Sequence, residues 1–284
     1  MLLFYLELIK PRIILGNLIT MVGGFFFSSK GENDYFLLFL SLIGLTLIIS
    51  SSCIINNIID NDLDRLMNRT RNRILVNRKF STWKISFFSY ILGFLGFLIF
   101  YFFLNRIVFL LSFIAYFDYL ILYTFFLKRN TKYSTYVGGI AGAIPPIIGY
   151  CSVSNSFDLC SLILFFTCFI WQIPHFYLIG IKYLEEYKKA KIPIFPVIEG
   201  FKKTKKRILF FILFYFLFSS LLTMLNYTGY YFFFTNFIFS LFWFLFSSFI
   251  QNKKNYILYI RSAIFLSILV IFNFSFFISF DYIN

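Results

Sequence analysis

The sequence predicts an all-α, polytopic integral membrane protein with about nine transmembrane helices in one bundle. Of its 284 residues, 60% are hydrophobic and 13% are charged, whereas a soluble domain carries about 25% charged residues. Apolar runs near the ~20 residues that cross a bilayer recur from end to end. This composition excludes a soluble enzyme, a secreted disulfide scaffold and a disordered chain, and we expect a single membrane domain over residues 1–284.

Nine segments meet the length criterion for a membrane span. They lie near residues 13–29, 36–58, 85–104, 107–127, 134–152, 159–180, 208–226, 230–250 and 258–280. Two connections are long, at about 56–84 and 181–207, and we expect them to be loops that carry the active site. The fifth span contains Pro145-Pro146, which must bend or break the helix. That break either makes space for a bulky ligand or serves packing alone.

The net charge of +14 is explained better by membrane topology than by a nucleic-acid partner. If the N-terminus is cytoplasmic, every basic residue except Lys30, Arg106 and Arg261 falls in a cytoplasmic segment. This asymmetry predicts a cytoplasmic N-terminus, an outer C-terminus and both long loops on the cytoplasmic face. No transit peptide is apparent, so we expect a bacterial inner membrane.

The first long loop opens with polar residues at helical spacing. Asn56, Asp60 and Asp64 stand at i, i+4 and i+8, so they share one face of a helix that continues out of the membrane. Two carboxylates one turn apart repel each other unless a cation lies between them, and Mg²⁺ combines one or two carboxylates with substrate phosphate oxygens. We interpret the pair as a platform for a magnesium-bound diphosphate. The alternative is a solvated helix end.

Basic residues stand close to this platform in the predicted topology. Arg65 follows the acids directly, and Lys128-Arg129 ends the fourth span after Tyr123 on the same membrane face. These side chains are suited to hold phosphate oxygens, or they serve only as topology anchors. The same alternatives apply to the remaining loop cations, Arg69, Arg71, Arg73, Arg78 and Lys79.

Two further polar residues lie inside predicted spans, where ionisable groups are costly. His175, the only histidine, follows Pro174 in the sixth span. It is either a packed, hydrogen-bonded side chain or a group for iron ligation or proton transfer. Asp118 lies in the middle of the fourth span and either pairs with a cation or is protonated. Glu186 lies beyond the end of the sixth span, as Asp60 does beyond the second.

Taken together, these motifs resemble the protohaem IX farnesyltransferase (haem O synthase) family of UbiA-type intramembrane prenyltransferases. The Asn-x-x-x-Asp-x-x-x-Asp element is common to the superfamily, and Trp-Gln-x-Pro-His-Phe indicates the haem branch. The likeness covers residues 10 to about 200, and the last three helices match only in hydrophobicity. The matching segments are 10–14, 16–19, 56–65, 69–70, 123, 128–129, 142–149, 171–176 and 192–197.

The resemblance implies an enzyme that transfers a farnesyl group from farnesyl diphosphate to a vinyl group of haem b, with addition of water, giving haem O and diphosphate. Mg²⁺ would be the cofactor, held by Asp60 and Asp64 and completed by Asn56. The implied roles of the other residues are diphosphate binding by Arg65, Lys128 and Arg129, a second metal ligand in Glu186, and haem binding by His175, Trp171 and Gln172.

Lys182 and Glu186 occupy the positions of the two aspartates in the second superfamily motif, so the second metal site departs from that pattern. The resemblance further implies that the protein lies in the lipid bilayer and contacts haem A synthase or the terminal oxidase assembly. The alternatives are a UbiA-type enzyme for an aromatic or quinone precursor, a transporter, and a haem assembly factor without catalysis.

Overall fold

The computed structural model of the chain describes residues 2–77, 81–250 and 256–283, without the side chains of residues 2–5. The loop cations Arg78, Lys79, Lys253 and Lys254 lie outside these ranges.

Within the described ranges the regular secondary structure is helical apart from one isolated β-bridge between Thr228 and Tyr282, and nine helical spans are long and apolar enough to cross a membrane. The all-α class and the number of spans are therefore confirmed. The spanning helices are α2 (Pro11–Ser29), α3 (Tyr35–Ile59), α6 (Thr82–Phe103), α7 (Arg106–Phe117, continued by a π-helical segment, Asp118–Leu127), α8 (Ser134–Ala143) with α9 (Pro145–Ser154), α10 (Leu159–Lys182), α12 (Phe195–Met224), α13 (Tyr230–Ser248) and α14 (Tyr256–Phe280). Short helices lie between them: α1 (Leu2–Ile9), α4 (Asn61–Leu66), α5 (Ile74–Asn77) and α11 (Leu184–Lys189).

The two segments predicted as long loops are largely helical, which corrects that prediction. The first contains the end of α3 together with α4 and α5, and the second contains α11 and the beginning of α12. Helix α12 starts at Phe195 and bends at Gly200, which has a φ of 77°. Hydropathy marks only the part of a helix that lies in lipid, so it cannot detect helical turns that continue into water.

The proline pair breaks the fifth span, as expected. Helix α8 ends at Ala143 and α9 begins at Pro145, whose missing N–H group is tolerated at the start of a helix. The break places α9 against α2 at backbone contact. A Cβ atom added to Gly149 would lie 1.9 Å from the Met21 carbonyl oxygen, and one added to Gly24 would lie 2.0 Å from that of Pro146. Packing of small residues, as in other membrane helix pairs, accounts for this region.

Helix α2 also packs on α14, so the first and last spans are neighbours. A Cβ atom on Gly23 would lie 2.8 Å from the Ser275 carbonyl oxygen. Close contacts of this kind depend on glycine because any side chain would separate the two backbones. The spans therefore form a closed bundle in which α2 contacts both α9 and α14.

Candidate active site

The corner between α3 and α4 keeps the three polar residues of the first motif on one face. Asp60 is the C-cap of α3, and α4 begins at the next residue. Backbone hydrogen bonds from Asp60 N to Asn56 O (2.9 Å) and from Asp64 N to Asp60 O (2.8 Å) continue the helical spacing across the corner. The Asn56 side-chain amide donates to Asp60 Oδ2 at 2.7 Å. The predicted common face is therefore present.

Both carboxylates are buried, so the alternative of a solvated helix end is wrong. Asp60 is 1% exposed and Asp64 is 5% exposed. Each forms an ion pair, Asp60 with the Lys128 ammonium and Asp64 with Arg73 Nη1 at 2.5 Å. Burying two carboxylates without such partners would cost several kcal/mol each, in order of magnitude. The site is thus a pair of acids enclosed by basic side chains.

A π-helical turn positions Lys128. The N–H group of Lys128 bonds to the carbonyl of Tyr123, five residues earlier, at 2.9 Å. Within this segment Thr124 accepts a hydrogen bond from the Asn56 amide at 3.2 Å, which joins it to α3. The Lys128 ammonium also lies 6.0 Å from the centroid of the Tyr123 ring. π-Helical insertions occur frequently at functional sites, and here one brings a cation onto Asp60.

Arg129 donates hydrogen bonds to three acceptor atoms. It forms two hydrogen bonds of 2.7 Å to the Asp62 carboxylate and one of 2.8 Å to the Ile59 carbonyl. The hydrogen bonds from Arg129 lower the pKa of the Asp62 carboxyl, so the pair stays charged at neutral pH. Arg129 Nη2 lies 3.9 Å from Asp60 Oδ1. Arg65, by contrast, is exposed on α4, and no contact within the described ranges joins it to the two buried acids.

Lys10 is a site residue that sequence reasoning did not assign to the chemistry. Its ammonium donates to Asn56 Oδ1 at 2.6 Å. Burial lowers the pKa of this amine to about 8. In the sequence, Lys10 was marked only by the proline that follows it at the start of α2. In the structure, Lys10 has a left-handed φ of 56°. Arg73 was one of several loop cations, and nothing in its spacing distinguished it from the others.

Glu186 joins the α4–α5 connection to α11 but does not contact the buried acids. Its Oε2 accepts the backbone N–H of Arg69 at 3.1 Å, and the Arg69 guanidinium lies 4.9 Å from the Tyr183 ring centroid. The two segments are therefore neighbours, as the topology predicted. Glu186 is partly exposed, and its interactions bind the α4–α5 connection to α11.

The donor set around Asp60 fits a magnesium ion. In the described ranges, no group of three or more histidine, cysteine or acidic side chains forms a metal cage. Mg²⁺ needs no such cage, because it is commonly bound by one or two carboxylates together with substrate phosphates and water. Asp60 Oδ1 is buried and has no hydrogen-bond partner. A buried carboxylate oxygen without a donor is a group that a cation would satisfy.

The haem-branch motif lies on α10 and is held by α14. The His175 ring stacks on Trp171 at 5.0 Å between centroids, and its Nδ1 lies 2.6 Å from Ser267 Oγ. Trp171 Nε1 donates to the Ser267 carbonyl at 2.8 Å. Ser267 was missed because the last helices carry no recognisable motif. Gln172 is buried and donates to the Gly139 carbonyl at 3.3 Å, so it also ties α10 to α8.

Asp118 is buried where α7 becomes π-helical. Its Oδ2 accepts the backbone N–H of Ala141 at 3.1 Å, and its Oδ1 has no hydrogen-bond partner. Among the residues described, no basic side chain forms an ion pair with Asp118. Of the two expectations for this residue, pairing with a cation of the protein is therefore not found.

Comparison with known proteins places the chain in one family. A model described as the UbiA prenyltransferase family matches residues 17–269. A Protoheme IX farnesyltransferase of Buchnera aphidicola subsp. Baizongia pistaciae is 41% identical over 271 residues, covering 95% of this chain and 94% of the relative. One from Marinomonas sp. (strain MWYL1) is 41% identical over 225 residues, covering 79% and 76% of the two chains.

Solved structures share the fold. A digeranylgeranylglyceryl phosphate synthase superimposes with a TM-score of 0.78 at 20% identity, covering 98% of each chain. A UbiA homologue from Archaeoglobus fulgidus bound to DMAPP and Mg²⁺ superimposes with a TM-score of 0.73 at 17% identity, covering 96% of this chain and 98% of the other. From the family match and the identity to full-length relatives it follows that the chain belongs to the UbiA prenyltransferase family.

Proposed function

We propose that the chain transfers a farnesyl group from farnesyl diphosphate to a vinyl group of haem b, with addition of water, and releases haem O and diphosphate. The observation that carries the proposal is the buried pair Asp60 and Asp64 among basic side chains, at one end of an apolar bundle. It is supported by relatives named Protoheme IX farnesyltransferase at about 40% identity over most of the chain.

The diphosphate end of the substrate would lie against this cluster of acids and bases. Asp60 and Asp64, completed by Asn56, would hold Mg²⁺, which supplies charge neutralisation for the leaving diphosphate. Lys128 and Arg129 would stabilise the negative charge that develops on the departing phosphates. Arg65 would reach the same phosphates from the surface of α4, and Glu186 would serve a second ion at the rim of the site.

The farnesyl chain would extend into the bundle among apolar side chains, which keep water from the reacting carbon. Cleavage of the carbon–oxygen bond leaves an allylic cation, and aromatic faces stabilise such a cation. Tyr119 and Tyr123 stack with 5.7 Å between their ring centroids, and the Tyr123 ring lies 6.0 Å from the Lys128 ammonium; these two rings would serve that role. On the acceptor side, His175, Trp171 and Gln172 would bind haem b.

A membrane assay tests this function. Membranes that contain the protein, supplied with haem b, farnesyl diphosphate and Mg²⁺, are expected to yield a haem heavier by one farnesyl group plus water. A chelator should reduce the product to background and added Mg²⁺ should restore it, because the buried acids need a cation to bind diphosphate. Glu185→Gln is a control variant that should leave product formation unchanged, because Glu185 is exposed and its ion pair within the described residues is with Lys188.

The other outcomes of this assay contradict the proposal in distinct ways. Diphosphate release with aromatic acids and none with haem b would indicate a UbiA-type enzyme for a quinone precursor. If folded protein releases no diphosphate with haem b or with aromatic acids, the result would indicate a transporter or a haem assembly factor.

We also propose that the site faces the cytoplasm of a bacterial cell, with the N-terminus inside, the C-terminus outside, and haem A synthase or the terminal oxidase assembly nearby. All four native cysteines are buried, so an introduced cysteine can be labelled selectively. With an impermeant thiol reagent on intact cells, Lys30→Cys should react and Arg71→Cys should not, although both positions are exposed. The opposite labelling pattern would reverse the topology.

A further inference from the structure

The contact between α10 and α14 indicates which ring nitrogen of the single histidine carries a hydrogen. Ser267 Oγ lies 2.5 Å from the Ile264 carbonyl oxygen and 2.6 Å from His175 Nδ1. At such distances each contact must contain a hydrogen atom, because two lone pairs would repel. A carbonyl oxygen carries no hydrogen, so the serine proton lies on the Ile264 side. The hydrogen in the second contact must therefore belong to His175 Nδ1.

We propose that Ser267 is a positioning residue that holds His175 as its Nδ1–H tautomer and so presents an unprotonated Nε2 as a ligand for the iron of haem b. This rests on the proposed function and deepens it by naming the coordinating atom. Neutral imidazole binds a metal through one nitrogen while the other donates a hydrogen bond, and that second contact determines which nitrogen is free. Here the accepting group is the Ser267 hydroxyl.

The geometry around the imidazole leaves it little freedom. Ser267 is completely buried, and its backbone carbonyl holds Trp171 Nε1 at 2.8 Å. The Trp171 ring in turn lies almost parallel to the imidazole, with 17° between the planes. One serine on α14 therefore orients both Trp171, through its backbone carbonyl, and His175, through its hydroxyl.

The tautomer can be measured without haem and without activity. His175 is the only histidine, so ¹⁵N-histidine labelling gives the signals of one side chain. The purified protein should show a protonated Nδ1 and an unprotonated Nε2. Ser267→Ala should remove this preference and give an exchanging or Nε2–H imidazole. Ser275→Ala is the matched control, because Ser275 is a buried α14 serine that donates only to the Ile271 carbonyl, at 2.9 Å.

Adding haem b then tests the ligand. The wild type should give the optical spectrum of an axial imidazole, and His175→Ala should lose it. Ser267→Ala should bind haem about 10-fold more weakly, and its iron–histidine stretching band should shift to lower frequency, because loss of the Nδ1–H acceptor makes the ligand less basic. Ser275→Ala should match the wild type in affinity and in the stretching band.

Three results would overturn the inference. The first is an Nε2–H imidazole in the wild type. The second is the expected tautomer without an axial-imidazole spectrum on addition of haem b, which would refute the iron ligand. The third is equal effects of Ser267→Ala and Ser275→Ala. Magnesium-dependent diphosphate release, measured on the same preparations, tests the prenyltransferase function separately, so failure of one is distinguishable from failure of the other.

Discussion

Asp60→Asn should lower prenyl transfer by at least about 100-fold, a loss typical of removing one electrostatic contact to the transition state. Asparagine has almost the same shape as aspartate, but it lacks the charge that pairs with Lys128 and that would hold the proposed magnesium ion. The measurement is formation of farnesylated haem in membranes, with the amount of inserted protein determined in the same samples.

Loss of activity must be separated from loss of folding. The substitution leaves the Lys128 ammonium without its acid partner, and removing one member of a buried pair costs about 3–5 kcal/mol. Lys128 is 18% exposed, so we expect a cost at or below the lower end of that range. The double variant Asp60→Asn/Lys128→Met should regain most of the thermal stability and none of the activity. A fully active Asp60→Asn protein would refute the metal platform.

Gly149→Ala should destabilise the bundle by more than about 3 kcal/mol, the upper end for overpacked cores. The added methyl group would lie 1.9 Å from the Met21 carbonyl oxygen and 2.8 Å from Phe25 N. Backbone atoms cannot rotate away as a flexible side chain can, so α2 and α9 must separate. Thermal unfolding in detergent measures the effect.

Gly16→Ala is the control on α2, because a Cβ atom there meets no heavy atom within 4 Å. Alanine also favours a helix over glycine by as much as about 1 kcal/mol, so this variant should be neutral or slightly more stable. Equal unfolding temperatures for Gly149→Ala and the wild type would show that the two helices do not approach each other so closely.

The spans and the first motif were predictable from the sequence because both depend on local spacing. A bilayer sets the length of every apolar run, and the predicted second span, 36–58, matches α3 to within one residue at each end. Asn56 and Asp60 are one helical turn apart, so their contact follows from helix geometry alone.

Lys10, Arg73 and Ser267 were not predictable as site residues because their contacts depend on tertiary packing. Lys10 reaches Asn56 across 46 positions, and Ser267 reaches His175 across 92. Spacing in one sequence carries no information about such pairs. The π-helical turn that aims Lys128 was also missed, because its apolar sequence resembles any other span.

The contacts of α2 have a consequence for how the protein is made. Gly23 contacts Ser275, so the two contacting residues are about 250 positions apart in the sequence. At roughly 5–20 residues per second, translation takes about 12–50 seconds to cover that distance. Throughout that interval the glycine face of α2 has no α14 to cover it. Helix α2 is therefore synthesised well before α14 and is completely enclosed only when that last described span has been made.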